Sequence, residues 1–195
     1  RYIGPLIANL PKPVPEEVLN FAAEDKPLVF FSMGSSGRQQ LIKQILEGFK
    51  DQPFNVVSPM KTKVNGQDVR LPENVLLTDW LPALEVSRLA NLSVIHGGIG
   101  TVMTAALAGQ PVVGVGMMYE QEYNLDCLVR KGFAKRIRRT KVTPKVINNS
   151  IMEMLSDESA REKALRYAVE MEKWLTFRNQ ELRSFFLSLK KHALC

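Results

Sequence analysis

Short apolar runs alternate along this chain with amphipathic, helix-length stretches, and that alternation restricts the fold more than any other feature. Leu28-Val29-Phe30-Phe31, Phe54 to Val57, Val75 to Thr78, Leu92 to Ile95, Pro111 to Val115 and Phe133 to Ile137 read as strands. Between the first two, Gln39 to Phe49 puts Leu41, Ile42, Ile45, Leu46 and Phe49 on one helical face. Further helices are expected from Pro82, over Gly100 to Ala108, over Glu122 to Lys131, and over Pro144 to Leu155 with Thr143 as N-cap. A last helix begins near Glu158, capped by Asp157. Lys61 to Pro72, polar and turning at Asn65-Gly66, reads as a loop. Apolar strands separated by helices predict an α/β fold, a parallel sheet with helices on both faces. Ligands of such sheets bind outside the carboxyl ends of the strands. The loops at 32–37, 78–82, 96–101 and 116–121 should therefore open at one edge.

One of those junctions carries a chemical signal of its own. Val94-Ile95-His96-Gly97-Gly98-Ile99-Gly100-Thr101 turns from a strand through glycines into a helix. Such a turn presents backbone N–H groups and the positive end of a helix dipole, with a hydroxyl at Thr101 and an imidazole at His96. That set suits a diphosphate. The plainer reading is a tight strand-to-helix turn in which glycine only lets the backbone bend.

Composition narrows the class without choosing a function. With 195 residues and 45% apolar content, the chain can bury a core without staples. Its cysteines, Cys127 and Cys195, are too few and too far apart for a disulfide framework or a zinc site, which makes a reducing, cytoplasmic compartment the expectation. No run reaches the length of a membrane span, and no secretory leader is expected. The chain starts at Arg1 rather than Met and is rich in proline up to Pro27, so residues 1–27 read as a linker arriving from elsewhere. The net charge of +6 concentrates in Arg130, Lys131, Lys135, Arg136, Arg138, Arg139, Lys141 and Lys145, and again in Lys190-Lys191-His192. This is either a solvated face or an attraction for anions. No nucleic-acid-reading motif accompanies it, so no nucleic-acid partner is expected.

Asp79-Trp80-Leu81-Pro82, His96-Gly97-Gly98-Ile99-Gly100-Thr101, Gly109-Gln110-Pro111 and Glu120-Gln121-Glu122-Tyr123-Asn124 follow one another in an order and spacing that resembles the UDP-glycosyltransferase-like family. Tyr2-Ile3-Gly4-Pro5-Leu6 and Phe31-Ser32-Met33-Gly34-Ser35 agree with it. The resemblance implies the carboxyl-terminal, donor-binding half of a GT-B enzyme, which has two facing Rossmann-like domains. Residues 1–27 would then be the interdomain linker and entry helix, with Glu16 to Ala23 helical, and 28–180 would bind the nucleotide sugar. Residues 181–195 would pack on an amino-terminal domain that holds the acceptor and the general base.

The resemblance also implies roles. His96, Gly98, Gly100 and Thr101, with Ser35, would meet the diphosphate, and His96 would stabilise the leaving group as charge grows on it. Trp80 would stack on the base, although a buried core anchor is the plainer reading of a tryptophan. Leu81 would read the base edge with its backbone, and Thr104 would face the ribose. Glu120 and Gln121 would hydrogen-bond the transferred sugar, while Asn124 ties its loop to the preceding turn. No metal and no cofactor are implied. The donor would be a nucleoside-diphosphate sugar, a UDP-sugar first, and the acceptor a small molecule or lipid. Three positions depart from the plant-like pattern: Ala83 stands for glutamine, Thr104 for the ribose-gripping glutamate, and Gly116 for proline.

Lys135, Arg136, Arg138 and Arg139 suggest a peripheral contact with the inner face of a membrane, and Phe185-Phe186-Leu187 a weak anchor beside Lys190-Lys191. Trp174, Phe177, Phe185 and Phe186 read better as an interdomain surface. Two other readings stay open: a sugar-nucleotide epimerase or phosphorylase of the same architecture, and a non-catalytic module using the basic face.

Overall fold

The computed structural model describes residues 12–35 and 37–192, the last five as backbone only. Tyr2 to Leu6, Ser36 and Cys195 lie outside the described residues, as do the side chains of Lys190, Lys191 and His192.

Six strands form one sheet: β1 (Leu28–Ser32), β2 (Asn55–Ser58), β3 (Val75–Leu77), β4 (Leu92–Ile95), β5 (Val112–Gly114) and β6 (Ala134–Arg136). Their order is β3-β2-β1-β4-β5-β6 and every pairing is parallel. The helices are α1 (Glu16–Ala22), α2 (Gln39–Glu47), α3 (Lys61–Val64), α4 (Ala83–Leu89), α5 (Ile99–Ala108), α6 (Tyr119–Lys131), α7 (Pro144–Leu155) and α8 (Glu158–His192).

The sheet is apolar on both faces because both are covered. Along β1, Val29 and Phe31 enter the larger core with α2 and α7, while Leu28 and Phe30 pack with α1 and α4. In the larger core Phe49 meets Phe31 edge-on at 5.6 Å and Phe54 at 5.9 Å. Asn148 of α7 donates to the carbonyl of Gly48, 2.8 Å away, where a Cβ on that glycine would strike Pro144. The helices are stopped and started by local chemistry. Thr143 Oγ1 accepts from Val146 N–H at 3.2 Å, and Asp157 Oδ1 accepts from Ala160 N–H at 2.9 Å. Gly109 and Gly132 end α5 and α6 in the left-handed conformation.

Three expectations change. Lys61 to Pro72 is not wholly loop: a single turn, α3, tucks Val64 into the core, a local burial that one apolar residue in a polar run does not advertise. Pro82 is the N-cap of α4 rather than its first helical residue. Most consequentially, α6 starts at Tyr119 and not at Glu122, so Glu120 and Gln121 belong to a helical first turn.

Candidate functional site

The carboxyl ends of β1 and β4 lie side by side at the centre of the sheet, with Ser32 opposite Ile95. Chain order runs outward from this pair in both directions, which makes it the topological switch point where open α/β sheets take ligands. Loops after β1, β3, β4 and β5 all emerge at this edge, as the alternation predicts.

His96 follows β4 directly and is 8% exposed. Its ring lies between two glycines from different elements. A Cβ on Gly34, in the loop after β1, would sit 2.3 Å from His96 Cε1. A Cβ on Gly98, at the head of α5, would sit 2.5 Å from Nε2. Both positions are closed to any side chain while the imidazole stays where it is. Burial pushes the His96 pKa below its ordinary value, and the Ser32 carbonyl and the Glu120 carboxylate act in the opposite sense. Nδ1 is sealed from solvent without a hydrogen-bond partner among the described residues. Burial thus favours the neutral imidazole, and the close approach of Gly34 and Gly98 fixes where the ring lies.

Around it, Gly98 takes the N-cap position of α5. Thr101 is half-buried and its hydroxyl donates to the Gly98 carbonyl at 2.9 Å. Gly100 is exposed, and a Cβ there would meet nothing within 4 Å. Gly97, with φ at +85°, lets α6 approach: a Cβ would lie 2.5 Å from the Gln121 carbonyl. Ser35 is exposed beyond Gly34, and its carbonyl accepts from the Lys63 ammonium of α3 at 3.0 Å. Thr104 stands half-buried one turn along α5 from Thr101.

Trp80 is 53% exposed, so the core-anchor reading of this residue fails. It lies just after β3, with the Lys12 ammonium 4.8 Å from the ring centroid, while the neighbouring Leu81 side chain is buried beneath. Glu120 is exposed and accepts from Asn124, which also donates to the Gly97 carbonyl at 3.1 Å. The expected tie from Asn124 to the preceding turn is thus present. Gln121 points inward, 4% exposed, and its Oε1 accepts from Met117 N–H at 2.9 Å. The fold therefore gathers His96, Gly98, Gly100, Thr101 and Ser35 around one edge, and flanks them with Trp80 and Leu81 on the β3 side and Glu120 and Gln121 on the β5 side.

Sequence reasoning missed the role of Gly34 as the second wall of the histidine slot; a glycine two residues past the end of β1 was the only local signal. It also missed that the basic segment splits. Arg136 pairs with Asp126 at 2.6 Å and faces Glu122 at 3.6 Å, and Lys135 pairs with Glu153, so part of that charge is already neutralised. No helix among the described residues is long and apolar enough to cross a membrane, and those residues hold no group of three His, Cys, Asp or Glu that could hold a metal ion.

Residues 44–174 match the family model described as erythromycin biosynthesis protein CIII-like, C-terminal domain. Among curated proteins, a PGL/p-HBAD biosynthesis glycosyltransferase of Mycobacterium tuberculosis is 26% identical over 86% of this chain and 39% of its own length. Human UDP-glucuronosyltransferase 3A1 is 30% identical over 80% of this chain and 32% of its own length. Among solved structures, the glycosyltransferase of kitacinnamycin superposes with a TM-score of 0.74 at 24% identity, over 93% of this chain and 48% of that one. The glycosyltransferase VinC, solved in complex with DTDP, gives 0.72 at 19% identity, over 91% of this chain and 46% of that one. The chain thus spans less than half the length of these relatives, and the fold is that of one half of a GT-B glycosyltransferase. With most of its length covered by the family model, this chain belongs to the erythromycin biosynthesis protein CIII-like C-terminal domain family, whose relatives are glycosyltransferases.

Proposed function

We propose that this chain is the donor-binding half of a metal-independent glycosyltransferase that moves a hexose from a nucleoside-diphosphate sugar to a small-molecule or lipid acceptor. One observation carries the reading: a buried imidazole held between Gly34 and Gly98 at the switch point of the sheet, beside the N-terminus of α5. In glycosyl transfer the leaving group is a nucleoside diphosphate, and negative charge grows on it as the bond from the sugar's anomeric carbon to the phosphate oxygen breaks and the bond to the acceptor forms. An oriented N–H beside a helix N-terminus stabilises that charge without reorganising. The accumulating charge also favours the imidazolium form, so the donor strengthens as the bond breaks.

Exposed Trp80 offers its indole face to the base, and the backbone of Leu81 reads the base edge. Uridine is the first expectation for the base. Thr104, with one hydroxyl in place of a carboxylate, asks less of the ribose and leaves thymidine as the next. Glu120 reaches the sugar directly, and Gln121 shapes the loop that holds it. The acceptor and the general base belong to a second domain facing this edge. We place the enzyme in the cytoplasm, where the unmatched basic residues of the segment after β6 permit a peripheral membrane contact.

Calorimetric titration of the chain with UDP, dTDP and GDP, each with and without EDTA, tests the reading. UDP or dTDP should bind and EDTA should change nothing. Binding that requires added metal would remove metal independence. No binding of any of the three at millimolar concentration would remove the reading itself.

A further inference from the structure

Beyond the Glu120–Gln121 turn the carboxyl edge opens into a separate cavity of about 740 Å³, between the start of α2 and the loop after β6. Two arginines, Arg38 and Arg139, line it together with Gln40 and Gln44. No acidic side chain lines it among the described residues. Arg38 has no ion-pair partner among those residues, and Arg139 Nη1 donates to the Met117 carbonyl at 3.1 Å. The same Met117 donates its N–H to Gln121, so a single residue links the buried amide behind the sugar loop to the cationic wall of this cavity.

The contrast with the rest of the basic segment is informative. Lys135 and Arg136, a few residues before Arg139, are matched by Glu153, Asp126 and Glu122. Arg38 and Arg139 come from distant parts of the chain, converge on one concave surface, and find no acid there. Two like charges sharing a wall repel, and a bound anion converts that repulsion into two charge-assisted contacts. Guanidinium forks suit planar or tetrahedral oxyanions, and the amides of Gln40 and Gln44 can donate to the remaining oxygens.

We propose that this cavity binds an anionic group, a carboxylate or phosphate, held by Arg38 and Arg139 at the far side of the sugar loop. The neighbouring donor site is taken from the function proposed above; the anion chemistry is not. The group belongs either to the transferred sugar, as in a uronic acid, or to the acceptor.

The test uses the chain, Arg38→Gln and Arg139→Gln, with circular dichroism to confirm the fold. Arg38→Gln is the cleaner variant, because Arg139 also anchors the Met117 loop. Calorimetry measures phenyl phosphate on the nucleotide-free and UDP-saturated chain, and compares UDP-glucuronic acid with UDP-glucose. Phenyl phosphate should bind, and Arg38→Gln should weaken it about tenfold, the scale of a lost charge-assisted contact. A similar preference for UDP-glucuronic acid over UDP-glucose, abolished by Arg38→Gln, assigns the anion to the sugar. Arginine-dependent binding of phenyl phosphate alone assigns it to the acceptor. If no nucleotide binds but phenyl phosphate does so through the arginines, the cavity stands and the donor reading falls. If neither phenyl phosphate nor UDP-glucuronic acid responds to either arginine, the proposal is overturned.

Discussion

Gly34→Ala isolates the slot that holds His96, and Gly66→Ala provides its control. Both glycines have positive φ, +56° at Gly34 and +79° at Gly66. An alanine at either must therefore adopt the left-handed region, at a cost of about 1 kcal/mol. Only the surroundings differ. A Cβ at Gly66 meets nothing within 4 Å, whereas one at Gly34 falls 2.3 Å from His96 Cε1. The ring sits between the two glycines, since a Cβ built on Gly98 would also overlap it, 2.5 Å from Nε2, so an added methyl at Gly34 must displace it. Forcing extra volume into a packed site adds about 1–3 kcal/mol. Gly66→Ala should then lower Tm by about 2–4 °C, and Gly34→Ala by at least twice as much, on the scale of a domain this size. A second readout does not depend on stability. The chain has two histidines, and burial holds His96 below its ordinary pKa. If Gly34→Ala expels the ring toward solvent, NMR titration of the imidazole signals should show that pKa rising toward 6.5. Equal melting temperatures for the two variants, with an unchanged His96 titration, would refute the slot.

Other consequences follow from the same geometry. Because burial depresses the His96 pKa in the fold, the unfolded chain takes up a proton first as pH falls. The stability His96 allows is complete above about pH 6.5 and declines from there toward its depressed folded pKa, so denaturant melts at about pH 8 and about pH 5.5 should differ more for the wild type than for His96→Gln. Trp80→Ala should leave Tm almost unchanged, since the ring is 53% exposed, yet weaken UDP in calorimetry by about 1–3 kcal/mol if the indole is the base platform. Thr143→Ala removes the bond to Val146 N–H and should cost about 1 kcal/mol in a urea melt without touching nucleotide binding. Gln121→Ala leaves Met117 N–H without its acceptor and should destabilise the chain by about 1–3 kcal/mol, whereas Glu120→Gln should melt like the wild type.

The sheet was legible because its strands are buried on both faces and read as continuous apolar runs, so their alternation with helices dictated a parallel arrangement before any pairing was known. The caps at Thr143 and Asp157 were legible because their chemistry is local. The slot around His96 was not. Gly34 and His96 are far apart in sequence, and only the adjacency of β1 and β4, fixed by the crossover through β2 and β3, brings them into contact. The charge of the segment after β6 was also misleading as a sum. Arg136 serves α6 through Asp126, while Arg139, three residues on, holds the Met117 loop instead.

The start of α6 shows how a displacement of a few residues changes a site. In a loop, Glu120 and Gln121 would present both side chains to a sugar. In the first turn of a helix, consecutive residues are separated by roughly 100° about the axis, so the two cannot face the same way. Glu120 turns outward and is held by Asn124, one turn further along. Gln121 turns inward and fixes Met117. The acid–amide pair is therefore divided: the acid faces outward beside Asn124, and the amide supports the loop through Met117. Met117 transmits that support, because its N–H is held by Gln121 while its carbonyl is held by Arg139. A ligand that draws on Arg139 must then compete with or reinforce the bond that positions the loop. The Glu120–Gln121 turn and the Arg139 side of the cavity are thereby coupled through one backbone unit, Met117.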